Sequence, residues 1–147
     1  MKISTRARYG TRALLDLALN GGNEPVLLKD IAERQEISLH YLEHLIAPLV
    51  AKGIVRSTRG AHGGVWLAKL PRDIRLSEVI QLFEGSMAPV ECVDKPEVCR
   101  RSKTCATRDV WRELKDAIDG VLGSVTLQDL FDRQKQKEKS EGKMYYI

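Results

Sequence analysis

Residues 37–69, ISLHYLEHLIAPLVAKGIVRSTRGAHGGVWLAK, change their hydrophobic period halfway along. Up to Gly53 the apolar side chains recur at helical spacing. Leu39, Leu42, Leu45, Ile46 and Leu49 line one face of a helix that Ser38 can cap and Gly53 can end. Pro48 lies inside that helix, where it removes a backbone hydrogen bond and is expected to bend or break it. Beyond Gly53 the period falls to two. Ile54–Thr58 and Val65–Lys69 read as short strands, and the glycine-rich tip between them, Arg59–Gly64, suits a hairpin.

Upstream, residues 4–20 read as a helix that Ser4 or Thr5 can cap, with Ala13, Leu14, Leu17 and Ala18 inward and Gly21-Gly22 as its stop. Glu24-Pro25 is a linker. A short second helix, Leu28–Gln35, turns Leu28, Ile31 and Ala32 inward, and Glu36-Ile37 makes a turn into the helix capped by Ser38. Downstream, Pro71 ends the second strand. Leu76–Glu84 forms a further helix on Leu76, Val79, Ile80 and Phe83, closed by Gly85. Three helices followed by a hairpin is the order of a winged helix-turn-helix. The expected fold is therefore mainly α with a small β-hairpin wing, residues 1–85 forming the winged domain.

Residues 86–105 lose all periodicity and contain all three cysteines. A longer amphipathic helix follows from about Ala106 to Leu122, with Val110, Trp111, Leu114, Ile118 and Val121 on one face. Thr126 can cap a last short helix carrying Leu127, Leu130 and Phe131, which closes a segment spanning 106–132. The run RQKQKEKSEGK from Arg133 offers no apolar face, so residues 133–147 are expected to be a disordered tail.

A chain of 147 residues is about one domain, and with two Phe and two Trp its core must be aliphatic. No apolar run approaches the roughly 18–20 residues that cross a bilayer. The first residues are basic without a long apolar block, so neither secretion nor membrane insertion is expected, and a cytoplasmic location is. Three cysteines in such a chain point to metal or redox chemistry more than to disulfides. Charge is uneven. Residues 1–72 hold eleven basic and six acidic groups, a balance of +5, whereas residues 73–147 hold thirteen and fourteen, a balance of −1. A basic N-terminal half suits a polyanion such as double-stranded DNA, although a solvated basic face has the same composition.

A winged helix-turn-helix lays its recognition helix in the major groove, where side chains near the helix start meet base edges and flanking groups hold phosphates. The corresponding helix start here offers Ser38, His40, Tyr41, Glu43 and His44. Glu43 can accept from cytosine N4. Arg59, beside Gly60 at the wing tip, suits a phosphate or the minor groove, and Lys2, Arg6 and Arg8 can add phosphate contacts. Each residue has a plainer alternative. Tyr41 can pack at the helix edge, and Glu43 can be a solvated helix residue. His40 and His44 have a spacing that binds zinc but no Cys or acidic partners to complete a site.

Six residues separate Cys92 from Cys99, and five separate Cys99 from Cys105. These gaps are wider than the pairs of structural zinc sites, and only three ligands are offered. A loop of about fourteen residues can wrap an iron–sulfur cluster. Lys95, Arg100, Arg101 and Lys103 would offset its charge and favour thiolates. A thiol redox sensor is the next reading, and zinc or no role the remaining one. Catalysis finds no support: there is no Ser-His-Asp order with a nucleophile elbow. Gly60 to Gly64 lies between two strands rather than between a strand and a helix, so it is not a phosphate-binding loop. An enzyme is not expected.

MKISTRARYGTRALLDLAL at 1–19, the run 37–69 and CATRDVWREL at 105–114 resemble the Rrf-type winged-helix repressors, and among them most the iron–sulfur cluster regulators. The resemblance covers roughly residues 1–132. It implies a homodimeric transcription factor on pseudo-palindromic promoter sites, paired through the long helix at Val110, Leu114, Ile118 and Val121. It implies a 2Fe–2S cluster on Cys92, Cys99 and Cys105, with 4Fe–4S in related nitric-oxide sensors, whose state selects promoters and represses cluster-assembly genes. It also implies that Glu43 discriminates between site types and that Ser38, Tyr41 and Arg59 meet DNA. Two departures stand out. The usual pattern has five residues between the first two cysteines, and its fourth ligand is a histidine where this chain has Arg108. A guanidinium that stays protonated cannot ligate iron. A fourth ligand would then come from Glu91, Asp94, Asp109, the partner subunit or an exogenous group. The rival readings are a cluster-free regulator controlled by thiol oxidation or a partner protein, and an iron–sulfur carrier whose helix-turn-helix is a docking module.

Overall fold

The computed structural model describes residues 1–144. Ser4 and Ser38 each accept a hydrogen bond from the amide three residues on, Ala7 and Tyr41, both at 3.1 Å. They thereby start α1 (Thr5–Asn20) and α3 (Leu39–Ala51). Between these lies α2 (Leu28–Gln35), which ends on Glu36 in the left-handed region at φ 55°, a tight exit that sets the turn into α3. Pro48 neither breaks nor ends α3. The helix runs on to Ala51, and the Pro48 carbonyl still accepts from the Lys52 amide at 3.0 Å. A proline this near the C-terminus forfeits one donor while buried Leu45, Ile46 and Leu49 hold the turn in place.

The wing is an antiparallel pair, β1 (Val55–Thr58) and β2 (Gly64–Leu67), with Val55 opposite Leu67 and Thr58 opposite Gly64. Val26 adds a single bridge on the far side of β2, exchanging two 2.8 Å hydrogen bonds with Val65. This close approach requires a glycine. Gly64 has φ +153°, and a Cβ there would lie 2.5 Å from the Val26 carbonyl oxygen. Then come a 3-10 turn at Pro71–Asp73 and α4 (Leu76–Glu84), ended by Gly85.

The core sits where α1, α2, α3, the wing and α4 meet, on Leu14, Leu17, Ile31, Leu42, Leu45, Leu49, Ile54, Val65 and Val79. It is aliphatic apart from Phe83, as the composition requires. Phe83 fits only because position 10 is glycine, for a Cβ there would meet its ring at 2.4 Å. Asp16, also buried in α1, accepts two hydrogen bonds from Arg34 Nε and Nη2 and one from Gln35 Nε2, which fixes α1 to α2. Leu39 departs from its expected inward place. It is 43% exposed, because the first turn of α3 projects beyond the core.

The segment expected as an aperiodic loop carries two short pieces of structure, α5 (Glu91–Asp94) and a 3-10 turn at Pro96–Val98. It leads into α6 (Ala106–Ser124). At the end of α6 the chain bridges back to the winged unit. The Leu76 amide donates to the Val125 carbonyl, the Leu127 amide donates to that of Ile74, and Arg75 Nη1 donates to that of Gly123 at 2.6 Å. Thr126 and Asp129 cap each other's backbone amides and open α7 (Leu127–Met144). This helix corrects the expectation of a disordered tail from Arg133, since it continues through Met144 and packs on α1. Gln, Lys and Glu are good helix formers, and Gln134 and Lys135 each reach Glu138 along the helix. Buried Leu127 anchors its start in the core. Tyr145–Ile147, the end of the expected tail, lie outside the described residues.

Candidate nucleic-acid interface and cysteine segment

The start of α3 stands clear of the core, so the side chains it presents are free to meet a ligand. Ser38, His40, Glu43 and His44 are exposed. Ser38 uses its oxygen as the helix cap, leaving the hydroxyl proton to donate. Tyr41 is half-buried and packs edge-on against Tyr9, with ring centroids 6.2 Å apart, and the Arg12 guanidinium covers Tyr9 at 4.9 Å. Its ring therefore serves packing, while the structure gives its hydroxyl no partner among the described residues. His40 and His44 turn their Nε2 atoms toward each other at 3.2 Å.

Glu43 lines a groove together with Ser57, Thr58, Arg59 and Gly60 of the wing and with apolar Leu27, Ile46, Ala47 and Val50. The structure thus brings Glu43 and Arg59 to one concave surface. Arg59 is exposed at the tip, where Gly60 at φ +106° turns the chain and the Gly63 amide closes the turn on the Gly60 carbonyl at 2.9 Å. Lys2, Arg6 and Arg8 are also exposed. Arg6 lies over the Phe83 ring, and Arg8 reaches Thr5 at 3.4 Å, so both guanidinium groups sit at the N-terminal end of α1.

Cys92, Cys99 and Cys105 are free thiols, each half-buried. Cys92 lies in α5, Cys99 closes the following 3-10 turn, and Cys105 is the residue before α6. The Cys105 thiol is held below the ordinary thiol range. A hydrogen bond with the Thr107 hydroxyl at 3.2 Å is the main cause, and the Arg108 amide adds to it. The three do not come together. Among the described residues, no three His, Cys, Asp or Glu side chains meet in a group able to hold a metal ion.

Arg108 occupies the place where the resemblance implies a histidine ligand, and it is 7% exposed. Its Nε donates to the Cys92 carbonyl at 2.7 Å, and its Nη1 reaches toward the Ser102 carbonyl at 3.5 Å. The guanidinium therefore ties the start of α6 to α5 across the segment. The sequence gives no sign of this role, since nothing local distinguishes Arg108 from the exposed Arg100, Arg101 and Arg112 around it.

On α6, Val110 (55% exposed), Trp111 (38%) and Val121 (63%) remain open to solvent in the single chain. Leu114 and Ile118 are half-buried on the same helix, which packs on α4. No helix among the described residues is long and apolar enough to cross a membrane.

A family profile described as Rrf2, an iron-dependent transcriptional regulator, matches residues 3–133. Protein rrf2 of Nitratidesulfovibrio vulgaris is 48% identical over 130 residues, 88% of this chain and 87% of that protein. The HTH-type transcriptional regulator CymR of Bacillus subtilis is 40% identical over the full length of both. Among solved structures, T. potens IscR superposes with a TM-score of 0.78 at 41% identity, covering 99% of this chain and 97% of that one. These relatives are regulators rather than enzymes, and their winged-helix folds match the element order found here. The chain belongs to the Rrf2 family of transcriptional regulators.

Proposed function

We propose that the protein acts as a homodimeric, cytoplasmic repressor on double-stranded DNA, reading iron–sulfur status through its cysteine segment to control cluster-biogenesis genes. One observation carries the DNA half: Glu43 on the exposed start of α3 and Arg59 at the wing tip line the same groove. In this reading α3 enters the major groove, with Ser38, His40 and Glu43 toward bases, while Arg59, Gly60, Lys2, Arg6 and Arg8 hold the backbone. Tyr41 positions α3 through Tyr9. The open face of Val110, Trp111 and Val121 on α6, extended by Leu114 and Ile118, packs against its symmetry mate. A dimer of this kind presents two recognition helices to half-sites one helical turn, about 34 Å, apart.

The donor chemistry of the segment suits an iron–sulfur cluster: three free, half-buried thiols with a depressed Cys105 and no disulfide. Cys92, Cys99 and Cys105 would hold it. A cluster bound there, 2Fe–2S being the favoured form and 4Fe–4S the other, supplies sensitivity to iron, oxygen or redox state. Between the segment and the recognition helix lie α4, on which α6 packs, and the backbone bridge from Arg75 to Thr126. These elements set how the two winged units are held apart.

A second reading has its own support. The Arg108 guanidinium already ties the segment together, and the thiols do not converge, which suits a cluster-free regulator controlled by thiol oxidation or by a partner protein. Anaerobic visible absorption and Mössbauer spectra, with iron and sulfide analysis, separate the two. A cluster with near-equal iron and sulfide supports the first. Iron-free protein that resists reconstitution yet binds its promoter supports the second. Fluorescence anisotropy on short duplexes tests the DNA half; a salt-dependent but sequence-independent signal would overturn the repressor reading in favour of an iron–sulfur carrier.

A further inference from the structure

The imidazoles of His40 and His44 form a pair. They stand one turn apart on the exposed face of α3, and their ring planes meet at 87° with centroids 4.6 Å apart. Nε2 faces Nε2 at 3.2 Å. Two nitrogens in this relation satisfy each other by sharing one proton, or by directing both lone pairs at one metal ion. An ion at the usual distance of about 2.0–2.1 Å from each nitrogen would see them at an angle of about 100°, between the octahedral and tetrahedral values. The helix supplies this separation with no change of backbone, so chelation orders little that is not ordered already. Leu39–Ala51 contains no Lys or Arg, and its single acid, Glu43, lies between the two histidines in sequence.

We propose that His40 and His44 form a bidentate site for an imidazole-preferring first-row dication, of the Ni²⁺ or Zn²⁺ kind, on the surface of α3. The protein supplies two ligands, and the remaining positions are open to water or to an incoming group. The site is separate from the cysteines and stands whatever those thiols bind. Its consequence for DNA rests on the reading of α3 as the recognition helix: a bound ion occupies the face that meets base edges and lowers affinity for the specific sequence.

The test is titration of Ni²⁺ into untagged, full-length protein, observed through the imidazole resonances of its three histidines. His40 and His44 should broaden together at the lowest Ni²⁺ concentrations, while His62 in the wing stays sharp. His44→Gln, an exposed position, should leave the circular dichroism unchanged and raise the Ni²⁺ needed to broaden His40 by about a hundredfold, because the second ligand binds intramolecularly. If the pair broadens no earlier than His62, or if His44→Gln leaves the His40 response where it was, the site does not exist. Anisotropy on the specific duplex gives the second readout. Ni²⁺ should weaken wild-type binding and spare His44→Gln. Resonances that broaden as expected without any loss of DNA affinity would uphold the metal site and refute the placement of α3 in the groove.

Discussion

Replacing Arg108 by alanine should loosen the cysteine segment while leaving the winged unit intact. The magnitude follows from one hydrogen bond. Arg108 Nε donates to the Cys92 carbonyl at 2.7 Å from a nearly buried guanidinium, and a charged bond of this kind contributes about 1.5–3 kcal/mol. The contact to the Ser102 carbonyl, at 3.5 Å, is too long to add much. At about 1.4 kcal/mol per decade, local opening should become roughly 10- to 150-fold more frequent. Native-state hydrogen exchange reads this directly at the amides of Val93, Lys95, Ser102 and Thr104, each of which donates to a carbonyl within the segment or at its edge. Their protection should fall by that factor, while Leu42, Leu45 and Leu49 in the core of α3 keep theirs. Arg108→Lys keeps the charge without the fork and should fall between the two. Unchanged exchange in the segment would refute the tie. So would an equal loss of protection throughout the chain, which would make Arg108 a residue of global stability.

Arg59→Ala should weaken binding to every duplex alike and flatten the dependence of log affinity on log salt by about one unit, both read by anisotropy; an effect confined to one sequence would remove Arg59 from the backbone contacts. Glu43→Ala should instead shift preference between duplexes by about 1–3 kcal/mol at one base pair, with little change in the salt slope. Gly64→Ala should cost about 1–3 kcal/mol, seen as a lower urea midpoint at unchanged slope, because the new Cβ meets the Val26 carbonyl and the φ of +153° strains any side chain. Asp129 is held below the usual carboxylate range by the Thr126 amide and hydroxyl, so its contribution to stability is complete above about pH 4 and is lost as pH falls through its lowered value. Asp129→Asn should therefore be less stable than wild type at neutral pH and converge on it in acid; a gap that widens in acid would reverse the sign of that assignment.

The winged fold is legible in the sequence because its determinants are local. The Ser4 and Ser38 caps, the helical stripe from Leu42 to Leu49, the change to period two after Gly53 and the glycines of the wing each act within a few residues, and all appear where the pattern places them. The exposed residues at the start of α3 and the open valines of α6 follow from the same periodicity. The sequence does not reveal features decided by partners distant along the chain. Leu39 looks like a core residue until the helix is seen to outrun the core. The polar run after Arg133 looks unable to order until α7 lies along α1. Arg108 and Asp16 look like surface charges until the Cys92 carbonyl and Arg34 meet them. That Glu43 and Arg59 line one groove likewise depends on how the wing is placed beside α3. Periodicity records which side of its own helix or strand a residue occupies, whereas burial of a charge depends on what the rest of the chain brings to that side, and only the tertiary structure contains that.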